Sequence, residues 1–240
     1  MAKGIFITGT GTDVGKTIVS AGIVYALKNK GFNVGYFKGA LSGATEKNGE
    51  LIPGDTWFVK EFAALEEELN NMTPYLYKTP VSPHLAGSIE GNPVNREVVL
   101  KSFSKLKNKY EYIVAEGAGG LIVPLNYENY YVYNLIKDLK MSAIIVSDSG
   151  LGTIHNTVST VMCARNLGIE VSGIIMNNFD ENNICHGDNK KIIEDICKTP
   201  IIATIPKIEN MISEEMDFGN MREVFDKIDF SILPNIMQTI

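Results

Sequence analysis

The stretch Gly9-Thr10-Gly11-Thr12-Asp13-Val14-Gly15-Lys16-Thr17 follows a short apolar run, Gly4 to Thr8, and opens an apolar-periodic segment that continues to about Lys30. Run, glycine-rich turn and periodic segment read as strand, loop and helix, the context a phosphate cradle requires. In such a cradle the glycines let backbone amides approach the phosphates, and Lys16 reaches the terminal ones. The Thr17 hydroxyl can hold Mg2+, and the helix N-terminus favours an anion. The spacing is a variant of Gly-x-x-x-x-Gly-Lys-Ser/Thr: the usual first glycine position is Thr10, so the first structural glycine is Gly9, one residue early. Gly15-Lys16-Thr17 could instead merely start a helix, but the strand in front of it favours nucleotide binding.

Outward from the loop, β-type runs recur at Val34–Phe37, Tyr112–Ala115, Ala143–Ser147, Val171–Met176 and Ile201–Ile205. Between them lie segments long enough for helices near 55–70, 95–109, 130–139, 153–167 and 187–198. This alternation predicts an α/β chain of the P-loop NTPase fold, with a mostly parallel central sheet and helices on both faces. At 240 residues the chain fits one such domain, 1–240, more naturally than two. Thr73 to Pro93 is rich in proline, serine and glycine and reads as loops around one short helix. Residues after Pro206 read as a short helical tail near the nucleotide side.

Cys163, Cys185 and Cys197 lack a C-x-x-C spacing and are odd in number, which supports neither a disulfide framework nor a zinc site and fits a reducing compartment. A strand pattern beginning close to Met1 leaves no room for a signal peptide, and no apolar run reaches about 18 residues. The net charge of −6 comes from mixed acidic and basic residues without a long basic block, which argues against a large nucleic-acid footprint. A cytoplasmic enzyme without nucleic-acid or membrane partners is expected.

Other residues carry weaker signals of their own. Lys38 ends the second strand, at the edge where ligands bind in open parallel sheets, although alone it would more often be a solvated strand-end lysine. Glu116 ends a buried strand, where a carboxylate is costly without a cation or hydrogen bonds. Asp55 alone reads as the N-cap of the next helix. Gly117 to Gly120 either let a ligand approach the backbone or make a plain tight turn. Asn177, at a strand end, carries an amide able to read a base, or is a turn residue. In Leu151-Gly152-Thr153-Ile154-His155-Asn156 the free amides ahead of a helix form an anion site, or Gly152 and Thr153 simply start and cap that helix.

The segment Thr8 to Thr17 resembles the opening of the dethiobiotin synthetase family, Thr-Gly-Thr-x-Thr-x-Val-Gly-Lys-Thr. Further segments match in order: Tyr36-Phe37-Lys38 to Ser42-Gly43, Gly54-Asp55, Pro80-Val81-Ser82-Pro83-His84-Leu85-Ala86, Glu116-Gly117-Ala118-Gly119-Gly120, and Leu151-Gly152-Thr153-Ile154. The resemblance implies a homodimeric ligase that converts 7,8-diaminopelargonate, CO2 or bicarbonate, and ATP into dethiobiotin, ADP and phosphate. It assigns catalysis to Lys16 and Lys38, and Mg2+ to Thr17, Asp55 and Glu116. It places nucleotide on Thr12, Asp13, Val14, Gly15, Lys16, Thr17, Glu116, Gly117, Ala118 and Gly119, with Asn177 and Pro206 around the adenine. It places the diamine or carbamate on Thr12, Lys38 and Ser42. The substrate carboxylate falls to Gly152, Thr153, Ile154, His155 and Asn156 across the dimer interface.

Some positions depart from the family. Lys38-Gly39 replaces the common Lys-Pro, Ile154-His155-Asn156-Thr157 replaces Ile-Asn-His-Thr, and Ala203 replaces a glycine near the base pocket. No tyrosine stands near Asn189. Apart from Ala203, these departures bear on contacts to the substrate rather than on the phosphate loop. A partitioning-type P-loop ATPase would carry a signature lysine where this chain has Gly11, and it lacks a terminal basic amphipathic helix. A cobyrinate-type amidoligase would need a glutamine-using domain that does not fit in 240 residues. A regulatory module would bind nucleotide without turnover.

Overall fold

The structure is a computed structural model that describes residues 1–47 and 49–240, with residue 214 described through its backbone alone. The strands are β1 (Lys3–Gly9), β2 (Val34–Lys38), β3 (Ala40–Ser42), β4 (Thr45–Lys47), β5 (Glu50–Ile52), β6 (Tyr75–Tyr77), β7 (Tyr112–Gly120), β8 (Ser142–Asp148), β9 (Val171–Asn177), β10 (Ile201–Thr204), β11 (Met211–Ile212), β12 (Asp217–Phe218) and β13 (Gln238–Thr239). The helices are α1 (Lys16–Asn29), α2 (Gly54–Ala63), α3 (Leu69–Met72), α4 (Pro83–Ile89), α5 (Arg96–Lys109), α6 (Val132–Leu139), α7 (Thr153–Asn166), α8 (Ile184–Cys197), α9 (Met221–Lys227) and α10 (Leu233–Ile236).

The central sheet has the order β10-β9-β8-β1-β7-β2 and is parallel; β13 adds antiparallel pairing to β1 at Lys3 and Gly4. Ile5, Phe6 and Ile7 of β1 are wholly buried, as a strand covered on both faces must be. On β8, Ile144 and Val146 join the larger core, whereas Ile145 between them joins a second one with Val161 of α7 and Ile193 of α8. Successive side chains point to opposite faces, so the sheet is packed on both. The chain leaves β1 towards β2 and β7 on one side and later adds β8 on the other. This reversal puts the loop after β1 at a topological switch point, where open sheets bind ligands.

Several expectations need correction. The helix expected over 55–70 stops at Ala63, because Ala64 turns left-handed with φ 52° and the chain then turns Glu67 inward. The Glu67 carboxylate accepts from Asn71 Nδ2 (2.8 Å), Lys109 Nζ (2.8 Å) and the Tyr110 hydroxyl (2.9 Å), tying this turn to the end of α5. Those donors hold its pKa down at about 2 against the opposing effect of burial. Helix α8 starts at Ile184 rather than near 187, because the Asn183 side chain accepts from the Cys185 amide at 3.0 Å. Strand β7 does not end near Ala115 but runs to Gly120, which pairs with Gly9. The 73–93 stretch holds, besides α4, the strand β6, which pairs in parallel with β3.

The tail is only partly as expected. Met211, Ser213 and Met216 do border the cavity beside the phosphate loop. Beyond them the chain packs α9 on α1, where a Cβ on Gly22 would lie 1.9 Å from the Phe225 ring. It then ends beside the amino end of β1, with Ile240 N donating to Ala2 O at 2.9 Å, at the opposite end of that strand from the loop.

Candidate active site

The loop between β1 and α1 is shaped by close backbone approaches. A Cβ at Gly9 would lie 2.7 Å from Val14 Cγ2, and one at Gly15 would lie 2.1 Å from Asn177 Nδ2, so neither position accepts a side chain. Gly15 also sits at φ 92° and Asp13 at φ 60°, left-handed conformations that turn the loop into the helix. Asn177 Nδ2 donates to Val14 O at 3.2 Å, bracing the loop from the end of β9. Lys16 Nζ folds back to donate to Gly11 O at 2.7 Å. Burial lowers the Lys16 pKa; Glu116 opposes this and the Lys38 charge adds to it.

Lys38 ends β2 directly opposite Glu116 in the β2–β7 register. Its Nζ lies 2.6 Å from Glu116 Oε1 and 2.6 Å from Asp55 Oδ2. The Thr17 hydroxyl donates to Glu116 Oε1 at 2.9 Å, and the Tyr36 hydroxyl donates to Oε2 at 2.9 Å. Burial would push the Lys38 ammonium down, but the Asp55 and Glu116 charges outweigh it, so its pKa is raised. Burial likewise opposes ionisation of Asp55, yet Lys38 holds its pKa below the ordinary carboxylate value. Asp55 is not an N-cap: Pro53 holds that position and Asp55 lies in the first turn of α2. Glu116 lies inside β7, not at its end, and is 1% exposed. Sequence reasoning missed Tyr36; the period-2 spacing from Lys38 was the available signal, but the partner on β7 was not readable locally.

These groups open into a cavity of about 560 Å³ bordered by Thr12, Asp13, Gly15, Lys16, Thr17, Lys38, Ser42, Asp55, Glu116, Ala118 and Gly119. Trp57, half-buried on α2, forms part of the wall; Lys47 Nζ lies 5.2 Å above its ring and its Nε1 donates to Glu61 Oε1 at 3.2 Å. Gly119 takes φ 65°, and Gly120 lies where a Cβ would be 3.6 Å from Gly9 O, so the end of β7 hugs the phosphate loop instead of making a free turn. Gly117 does not border the cavity; its bare Cα accommodates Phe6 and Val132. Val14, Asn177 and Pro206 also lie outside the lining, the first two joined by their hydrogen bond.

The 152–156 segment forms a separate feature. Gly152, φ 85°, precedes α7, and the Thr153 hydroxyl donates to Asp148 O at 2.5 Å instead of capping the helix. Gly152, His155 and Asn156 are exposed and Ile154 is half-buried, with Leu151 beside them 99% exposed. Asn189 Nδ2 donates to Ser149 O at 2.9 Å, bracing the preceding turn. A larger hollow of about 890 Å³ lies between the α4–α5 loop and residues 126–130, but holds none of the phosphate-loop residues. Among the described residues no helix is long and apolar enough to cross a membrane.

A family profile described as AAA domain matches residues 3–215. The protein named ATP-dependent dethiobiotin synthetase BioD of Clostridium novyi is 46% identical over 233 residues, covering 96% of each chain. Its counterpart of the same name in Clostridium kluyveri is 49% identical over 220 residues, covering 90% of this chain and 91% of that protein. The chain belongs to the dethiobiotin synthetase family. As a member of that family it is an ATP-dependent ligase of biotin biosynthesis. Among solved structures, the MinC:MinD cell division protein complex of Aquifex aeolicus matches with a TM-score of 0.60 at 19% identity, covering 90% of this chain and 87% of that one. A ParA family ATPase from Chlorobium tepidum matches with a TM-score of 0.55 at 15% identity, covering 98% and 93%. Identities this low establish a shared fold alone, so the dethiobiotin synthetase family shares its architecture with partitioning-type ATPases.

Proposed function

We propose that the chain, as one domain over 1–240, joins 7,8-diaminopelargonate and CO2 at the expense of ATP, giving dethiobiotin, ADP and phosphate. The observation that carries this reading is the convergence of Lys16, Lys38, Thr17, Asp55 and Glu116 on one cavity beside the phosphate loop. Phosphoryl transfer asks for positioning and neutralisation of charge more than for covalent chemistry by the protein. One substrate amine adds to CO2 and loses a proton, giving a carbamate. A carbamate oxygen then attacks the γ-phosphorus and ADP leaves, giving a carbamic-phosphoric mixed anhydride. The second amine attacks its carbonyl carbon and loses a proton, phosphate leaves, and the cyclic urea closes.

In this reading Lys38, held cationic by its two carboxylates, holds the carbamate and the transferring phosphoryl group, and Thr12 and Ser42 border the same cavity. Lys16 in this reading exchanges its contact with Gly11 O for the terminal phosphates. The donor set also fits Mg2+: a hydroxyl, Thr17, and two carboxylates, Asp55 and Glu116, border one cavity, with the Lys38 ammonium now pairing both carboxylates. Among the described residues no three or more His, Cys, Asp or Glu are grouped so as to hold a metal ion, and magnesium bound with a nucleotide needs only one or two carboxylates besides phosphate oxygens and waters. Bound there, Mg2+ would neutralise charge on the β- and γ-phosphates.

Asn177 offers its Oδ1 to a base amine, since Val14 O fixes the other end of the amide, and Pro206 lies just after the neighbouring strand β10. The start of α7, with Gly152, His155 and Asn156 exposed, suits the substrate carboxylate, supplied from a second copy of the chain in a homodimer. The test is phosphate release measured with ATP, with and without diaminopelargonate and bicarbonate. Release that requires both supports the reading; nucleotide binding without turnover would make the chain a regulatory module instead.

A further inference from the structure

We propose that Tyr36 is a positioning residue for Glu116, setting the orientation in which that carboxylate meets the metal and the phosphate lysine. The inference rests on the reading of Glu116 as a Mg2+ ligand.

A glutamate carboxylate turns about a terminal torsion with broad, two-fold preferences, so its own geometry does not decide which oxygen faces the cavity. In this site three donors divide the two oxygens. Thr17 and Lys38 take Oε1, at 2.9 and 2.6 Å, and the Tyr36 hydroxyl takes Oε2 at 2.9 Å. Thr17 and Lys38 both border the cavity and must redirect their bonds when a nucleotide, a metal or a carbamate arrives. Tyr36 borders no part of that cavity and is wholly buried. It is therefore the one of these three donors to Glu116 whose bond no ligand displaces.

Register explains why a tyrosine does this. Tyr36 pairs with Val114 and Lys38 with Glu116, so Glu116 lies two residues along the neighbouring strand from the partner of Tyr36, on the diagonal. A long aromatic side chain spans that diagonal, and the hydroxyl at its end reaches Glu116 Oε2. Tyr36 and Lys38, two apart on β2, thus hold the two oxygens of the same carboxylate.

The test compares Tyr36→Phe, which keeps the ring and removes the hydroxyl, with site-specific 3-fluorotyrosine at 36, which keeps both. ATP binding is followed by calorimetry across a Mg2+ titration, and folding is checked by circular dichroism. With Tyr36→Phe, the Mg2+ concentration giving half of the metal-dependent gain in ATP affinity should rise at least about fivefold, while affinity without Mg2+ stays unchanged; about fivefold corresponds to about 1 kcal/mol at RT ≈ 0.59 kcal/mol. The fluorinated residue should restore the wild-type value. A merely structural hydrogen bond would lower thermal stability and leave the Mg2+ titration in place, which would overturn the proposal. So would an equal shift with both replacements, since the hydroxyl would then not be what matters. Glu116→Gln separates the two readings. If it shifts the Mg2+ titration and Tyr36→Phe does not, only the role of Tyr36 fails; if neither shifts it, Glu116 is not a metal ligand and both readings fall.

Discussion

Lys38 and Glu116 face one another across the β2–β7 pair, Nζ to Oε1 at 2.6 Å, with Asp55 on the other side of the ammonium at the same distance. A buried cation is tolerable there because it is paired twice, and breaking such a cluster by removing one partner leaves charge unpaired. Lys38→Ala and Lys16→Ala should each cost about 2.7–4 kcal/mol of transition-state stabilisation, the scale set by removal of a single oxyanion donor elsewhere. Steady-state kcat/KM with saturating bicarbonate is the measurement. Near-wild-type turnover in either variant would remove that lysine from the reaction.

Glu67 gives a prediction for acid stability. Its folded pKa, about 2, lies below the ordinary value of 4.5 because of donors from Lys109, Asn71, Tyr110 and the Glu68 amide. A depressed carboxylate stabilises the fold above its unfolded pKa, and that contribution is lost as pH falls from about 4.5 towards 2. Glu67→Gln should lower stability at neutral pH by about 1–3 kcal/mol, since Lys109, Asn71 and Tyr110 lose a charged acceptor. It should also flatten the pH dependence of the denaturation midpoint in that acid window. An unchanged slope there would show that other carboxylates dominate the acid limb.

Gly22 is the contact through which α9 seats on α1, and a methyl group there would meet the Phe225 ring at 1.9 Å. Gly22→Ala should destabilise by about 1–3 kcal/mol, the ordinary cost of overpacking, although alanine is the better helix former. Chemical denaturation reads this directly. A stability equal to or above wild type would mean that the helix outside the matched 3–215 region does not rest on this surface.

The turn before α7 offers a separate test of substrate binding. Gly152 has φ 85°, which proline cannot adopt, and the side chain of His155 is exposed. Gly152→Pro should raise the KM for diaminopelargonate and leave ATP affinity nearly unchanged, whereas His155→Ala should be mild, since in the proposed reading backbone amides do the holding. A substrate analogue without its carboxylate should bind worse to the wild type. If the analogue binds equally well, the carboxylate is held somewhere else.

Local chemistry explains which features were legible beforehand. The phosphate loop was readable because Gly9, Gly15, Lys16 and Thr17 answer to constraints within a few residues of themselves. The parallel sheet followed from apolar runs such as Ile5 to Ile7, buried on both faces. By contrast, Gly117 to Gly120 look like a turn in isolation, and only their approach to Gly9 from a distant strand makes them part of β7. Tyr36 was hidden for the same reason, since its partner is decided by register. The turn at Ala64 and the strand β6 depend on partners on α5 and β3, which no local pattern names.

Trp57 is the chain's single tryptophan, and it stands in the cavity wall beneath the Lys47 ammonium. Intrinsic indole emission from this protein therefore comes from one address rather than from an average over the fold. Anything that shifts the lysine, fills the cavity or draws Asp55 two residues away towards a metal changes the field at that ring. The enzyme thus carries its own optical probe, and filling of the cavity can be followed by light in unlabelled protein, before any product has formed.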